Sequence, residues 1–147
     1  MTDHLRVVFD TNVFVSTWLS RNPTSPTREL MDRWHNGGFT LLVCDALVDE
    51  VIEKLTEHQV NPSDIVELTM LVDRLAEWVN VPPEAVARVV PADPDDDVIL
   101  ACAMVGKADY LVTYDPHFDM VGGEYRGVKI TRALPFLWAV HGNQPPA

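Results

Sequence analysis

Short apolar runs that stop at an acidic or small polar residue alternate along this chain with longer stretches in which apolar side chains recur every three or four positions. Leu5 to Phe9 (LRVVF) is the first run, and its β-branched content predicts a strand buried on both faces of a parallel sheet. Asp10 then stands at the C-terminal end of that strand, and a helix carrying Trp18 begins at Thr11. Ser25-Pro26-Thr27-Arg28-Glu29 combines a capping residue, a first-turn proline and an early acid, and Gly37-Gly38 closes the helix at about 36. Thr40 to Cys44 (TLLVC) predicts a second strand. Asp45 is the expected cap of the next helix, whose apolar stripe is Leu47, Val51 and Leu55 and which carries Glu50.

Asn61-Pro62-Ser63 opens a helix to about Ala76, and Trp78 to Val81 predicts a third strand stopped by Pro82-Pro83. Val86 to Val90 fits either a short helix or an approach strand. Asp93-Pro94-Asp95-Asp96-Asp97 precedes the apolar segment VILACAMVG, which predicts a buried helix ending near Gly106. Tyr110 to Thr113 (YLVT) is a fourth strand, with Asp115 just beyond it. A helical turn around Pro116 to Met120, a loop at Gly122-Gly123, a fifth strand at Val128 to Thr131, a terminal helix at Pro135 to Val140 and a loose tail from about 142 complete the chain. There is no internal repeat, low-complexity tract or linker.

Strands alternating with helices predict an α/β fold: one domain over residues 1–147, a three-layer α/β/α sandwich around a central parallel sheet of four to five strands. In such sheets ligands bind beyond the carboxyl ends of the strands, where the strand order reverses. Asp10 and Asp115 both occupy strand ends, and they face each other if the first and fourth strands are neighbours.

Composition adds bounds rather than detail. Hydrophobic residues make up 47% and charged residues 22% of 147, which suits an ordinary soluble globular domain and excludes disordered and fibrous classes. The N-terminus has no basic segment or small-residue cleavage site, and Val98 to Val105 is far short of the ~20 apolar residues of a membrane span, so a cytoplasmic protein without membrane association is expected. Cys44 and Cys102 lie inside apolar segments and read as core thiols. The five histidines show no ligand spacing, which argues against zinc. The net charge of -11 opposes long-range attraction to nucleic acid. Bound divalent ions would invert the field locally.

Carboxylates brought together repel unless a cation neutralises them, and oxygen-only ligands favour Mg²⁺ or Mn²⁺ over zinc. Each acid also has a structural reading. Asp10 could cap the helix that follows it, Glu50 lies between Asp49 and Glu53 on an amphipathic helix, and Asp115 could be a turn residue. Capping and the helix dipole account for one or two of the acids from Asp93 to Asp97, but four acids among five residues also repel one another. Trp34, Trp78 and Trp138 read as core or interface residues rather than base-stacking platforms, because no basic residues cluster around them.

Val8-Phe9-Asp10-Thr11-Asn12-Val13 resembles the opening motif of PIN-domain nucleases. Asp96-Asp97-Val98-Ile99-Leu100-Ala101-Cys102-Ala103 and Ala108-Asp109-Tyr110-Leu111-Val112-Thr113-Tyr114-Asp115 resemble their third and fourth motifs. The resemblance runs from Val7 to about Ile130 and points to the bacterial branch of VapC-like toxins of toxin–antitoxin pairs. It implies that Asp10, Asp96 and Asp115 are catalytic metal ligands for Mg²⁺ or Mn²⁺ and that Glu50 completes the acidic set. Asp96 is preferred to Asp97 because it lies three, five and seven residues before Ile99, Ala101 and Ala103, the usual offset into this helix. Thr11, Asn12 and Thr113 would orient the ligands, and Asp93 and Asp97 would assist. Cys44 departs from the pattern, since family members often carry serine there. The implied activity is hydrolysis of single-stranded or structured RNA by a homodimer with a cognate antitoxin. Two rivals stay open: a catalytically silent protein-binding module, suggested by the net charge, and a phosphatase-like α/β domain using Asp10 as nucleophile.

Overall fold

The computed structural model describes residues 4–20, 22, 24–88, 94–116, 118 and 123–141. Asp93, His117, Asp119, Met120, Gly122 and the tail expected from 142 lie outside the described residues.

The elements follow the predicted alternation: β1 (Arg6–Phe9), α1 (Thr11–Leu19), α2 (Pro26–His35), β2 (Thr40–Val43), α3 (Asp45–Glu57), α4 (Pro62–Leu75), β3 (Glu77–Trp78), a 3₁₀ turn (Pro83–Ala85), α5 (Pro94–Val105), β4 (Tyr110–Val112), β5 (Glu124–Tyr125), β6 (Val128–Thr131) and α6 (Ala133–His141). They form a three-layer α/β/α sandwich. The sheet order is β3-β2-β1-β4-β6-β5, with five parallel strands and an antiparallel edge strand, β5. That sixth strand was not predicted. It is two residues long and pairs through a hairpin whose Arg126 (φ 47) and Gly127 (φ 89) both take left-handed backbone, the conformation of a tight two-residue turn.

The central strand explains the layers. Val7, Val8 and Phe9 are completely buried, as a strand covered on both faces requires. Residues paired across parallel strands share a face, so Val7, Leu41 and Tyr110 lie together. Tyr110 packs edge-on to Phe136 of α6 (5.1 Å between centroids), and Phe9, two residues on from Val7, packs on Phe14 of α1 and on Phe39. Val8 and Leu42 therefore point to the opposite face, where α5 lies; its closing Gly106 sits against Leu42. A Cβ at Gly106 would stand 2.9 Å from Leu42 Cδ1 and Val79 Cγ2, so glycine is what lets α5 end this close to the sheet. Arg6 secures that end by donating to the Gly106 carbonyl from both Nε (3.1 Å) and Nη2 (2.8 Å). The same guanidinium pairs with Glu77 of β3.

Two local expectations are corrected. Asp45 is the first residue of α3, not its cap; Cys44 occupies the cap position without a side-chain bond to the helix amides. The third strand is shorter and earlier than Trp78 to Val81: Glu77 and Trp78 are in register with β2, and its last bond to β2 is the Val79 N–H donating to the Val43 carbonyl at 2.7 Å. Val86 to Arg88 is neither helix nor strand, and Val89 and Val90 lie outside the described residues. No helix among the described residues is long and apolar enough to cross a membrane.

Candidate metal centre

Strands β1 and β4 are hydrogen-bonded neighbours, with Phe9 beside Val112. The chain leaves β1 toward β2 on one side and reaches β4 on the other, so the order reverses between them and a crevice opens at their carboxyl ends. Asp10 ends β1 and Asp115 follows β4. Asp96 enters from the N-terminal turn of α5, where the helix dipole favours negative charge. One carboxylate oxygen from each of Asp10, Asp96 and Asp115 lies within 4.8 Å of the others; Asp10 and Asp96 are buried and Asp115 is half-buried. No other group of three or more such ligands occurs among the described residues.

Asp10 is held by its neighbours at both oxygens. Oδ1 accepts the Thr11 backbone N–H at 2.7 Å, which also caps α1. Oδ2 accepts the Thr113 hydroxyl at 2.7 Å and, more weakly, the Asn12 amide at 3.5 Å. Thr113 Oγ1 in turn accepts the Asp115 N–H at 2.9 Å, and Asn12 Oδ1 accepts the Tyr114 N–H at 3.1 Å. Two side chains thus tie the β4 loop to the β1 carboxylate. Burial pushes the Tyr114 phenol above its ordinary range, partly offset by the Ala133 backbone and the charge of Arg132.

The donor set suits a hard divalent ion. Ligands at 2.0–2.1 Å from one ion lie up to about 4.2 Å apart, so side-chain shifts below ~1 Å would close this triangle on Mg²⁺. Three carboxylates this close are also unfavourable without a cation. Beside them Thr11 Oγ1 is buried with no hydrogen-bond partner in the protein, an unsatisfied polar atom next to the ligand site.

The remaining predicted residues divide. Glu50 is half-buried on α3 and is not one of the three converging acids. Asp97 is buried and lines a small cavity with Ala101, Tyr125 and Arg126. Asp93 lies outside the described residues. Cys44 and Cys102 are both buried free thiols. Trp34 is buried, whereas Trp78 is exposed at the β3 edge, which the absence of nearby basic residues had not suggested.

The class is thus an α/β protein with an open, mainly parallel sheet and three carboxylates converging at its switch point. The chain belongs to the PIN domain family, whose model matches residues 6–117. Among solved structures, VapBC2 from Rickettsia felis, bound to a DNA fragment from the promoter of its own pair, is similar in fold. The TM-score is 0.60 at 12% identity, over 86% of this chain and 97% of that one. No curated protein matches the chain significantly.

Proposed function

We propose that this protein is a divalent-metal-dependent endoribonuclease, using Mg²⁺ or Mn²⁺, and the toxin of a toxin–antitoxin pair. The convergence of Asp10, Asp96 and Asp115 at the sheet's switch point carries the reading. PIN domains are generally nucleases, and the fold shared with VapBC2 favours the toxin role, with a cognate antitoxin as partner. RNA, single-stranded or locally unpaired, is the substrate the family resemblance favours, and a homodimer is the assembly.

In this reading Asp10, Asp96 and Asp115 are the metal ligands, and Glu50 of α3 is a further acid that completes the set. A divalent ion held there neutralises charge at the scissile phosphate and lowers the pKa of water. The protein's own part is orientation. Thr11 N–H and Thr113 fix the Asp10 carboxylate, Thr113 also sets the Asp115 loop, and Asn12 holds the backbone at Tyr114. Both Asp10 oxygens are engaged in this way, which suits a fixed ligand better than the free nucleophile a phosphatase-like domain needs.

A groove of about 510 Å³ between α1, α2 and α4, lined by Trp18, Met31, Met70 and Leu71 together with Arg28 and Arg74, favours a peptide partner. It would serve an antitoxin, and it would equally serve a silent binding module. Incubation of the purified protein with a long RNA, with and without Mn²⁺, separates the two. Metal-dependent cleavage leaving 5′-phosphate ends is expected. RNA left intact by a protein that binds no Mn²⁺ would leave the silent module.

A further inference from the structure

Next to the carboxylates lies a second pocket that the metal chemistry does not use. It measures about 420 Å³, within the ~300–1,000 Å³ typical of small-ligand sites, and opens beyond the ends of β2 and β3. Trp78 and Asn80 line it from the β3 side, Cys44 and Asp45 from the start of α3, and Val98 from α5. Val8 pairs with Leu42 across β1 and β2, so Cys44 leaves β2 at the level where Asp10 leaves β1, and the pocket borders the carboxylates on that side. Trp78 is 42% exposed although its strand neighbour Val43 is 1% exposed, so part of an aromatic side chain is left open at the β3 edge.

The polar groups narrow the ligand. A carboxylate at the pocket repels phosphate and accepts hydrogen bonds without donating any. Its two oxygens match a planar group with two adjacent N–H donors. Of the four RNA bases, guanine alone presents such a pair, N1–H and N2–H₂, on its Watson–Crick edge, and single-stranded RNA is read through unstacked bases of this kind. Aromatic side chains stack on such bases.

We propose that this pocket takes one unstacked guanine of the RNA strand, its ring against Trp78 and its donor edge on Asp45, beside the phosphate presented to Asp10, Asp96 and Asp115. The proposal rests on the endoribonuclease reading and supplies its base preference. Asn80, also in the lining, would supply an amide donor to O6 of the base.

The test uses the full chain in EDTA and the fluorescence anisotropy of end-labelled single-stranded hexanucleotides that differ at one base. Guanine is expected to bind tightest. Inosine, which lacks the 2-amino group, should bind about tenfold more weakly. Trp78→Ala should lose about tenfold in affinity and Trp78→Phe should retain most of it. Asp45→Asn should level guanine with inosine. Equal affinity for all bases, or a folded Trp78→Ala that binds like the wild type, overturns the proposal. Cleavage maps of a long RNA with Mn²⁺ separate the two readings. A wild type that prefers guanine in EDTA but cuts nothing sinks the nuclease and leaves the pocket. Cuts without regard to guanine, unchanged by Trp78→Ala, sink the pocket and leave the nuclease.

Discussion

Replacing Thr113 with valine keeps the side-chain shape and deletes the hydroxyl that joins the two halves of the centre. That hydroxyl is buried, donates to Asp10 Oδ2 at 2.7 Å and accepts the Asp115 N–H at 2.9 Å. A hydrogen bond to a charged group contributes about 1.5–3 kcal/mol and a neutral one about 1 kcal/mol. The valine variant should therefore lose about 2–4 kcal/mol, a fall in Tm of roughly 5–15 °C for a domain of this length. Freeing Asp10 and the Asp115 loop should also weaken Mn²⁺ binding by about 10- to 100-fold, the usual effect of removing a group that orients a ligand. Thermal melts in EDTA give the first quantity and calorimetry with Mn²⁺ the second. Thr113→Ser keeps the hydroxyl and should restore both. A valine variant that melts within about 2 °C of wild type and binds Mn²⁺ equally well would refute the bridging role on which this reasoning stands.

Asp96→Asn removes one of three crowded carboxylates, so it should melt no lower than wild type in EDTA yet lose the stabilisation by Mn²⁺, which for wild type reaches about 2.7 kcal/mol at 100 times Kd; a differential scan at both conditions decides it. Gly106→Ala forces a Cβ to 2.9 Å from Leu42 and Val79 and should cost about 1–3 kcal/mol, seen as a lower urea midpoint at unchanged slope. The Arg6 guanidinium, mainly by hydrogen bonding, holds the Glu77 carboxyl below its ordinary range. A lowered folded-state pKa contributes stability above the unfolded value near 4.5, and that stability is lost as pH falls through the folded value. Glu77→Gln should thus cost at most about 1 kcal/mol at pH 7, because both side chains are partly exposed, and less as pH falls below 4.5 toward the folded value. Urea melts at pH 7 and below pH 4.5 check the sign.

What the chain declared in advance was what its local chemistry controls. LRVVF ending on Asp10 reads as a buried strand because a parallel sheet needs apolar residues on both faces, and Ser25-Pro26 reads as a helix start because the cap and the proline each have one use there. The adjacency of β1 and β4 could be stated only as a condition, since nothing in either run specifies its neighbour; the pairing of Phe9 with Val112 supplies it. Asp96 was distinguishable from Asp97 by its offset into α5, and the two do face different surroundings. Glu50 had a solvated helix face as an equally good explanation, and it does not join the three converging acids. The Asn12 to Tyr114 bond and the exposure of Trp78 left no periodic signal, because each depends on contacts between distant segments, and the local hairpin strand β5 is only two residues long, too short to show one.

The central claim is that Asp10, Asp96 and Asp115 jointly hold a divalent ion. Crystals soaked in Mn²⁺ and measured at a wavelength where manganese scatters anomalously test it directly. The account predicts an anomalous peak bounded by these three carboxylates, lost in Asp96→Asn crystals. A well-ordered centre with no peak at millimolar Mn²⁺, or a peak bound by other residues, would contradict it.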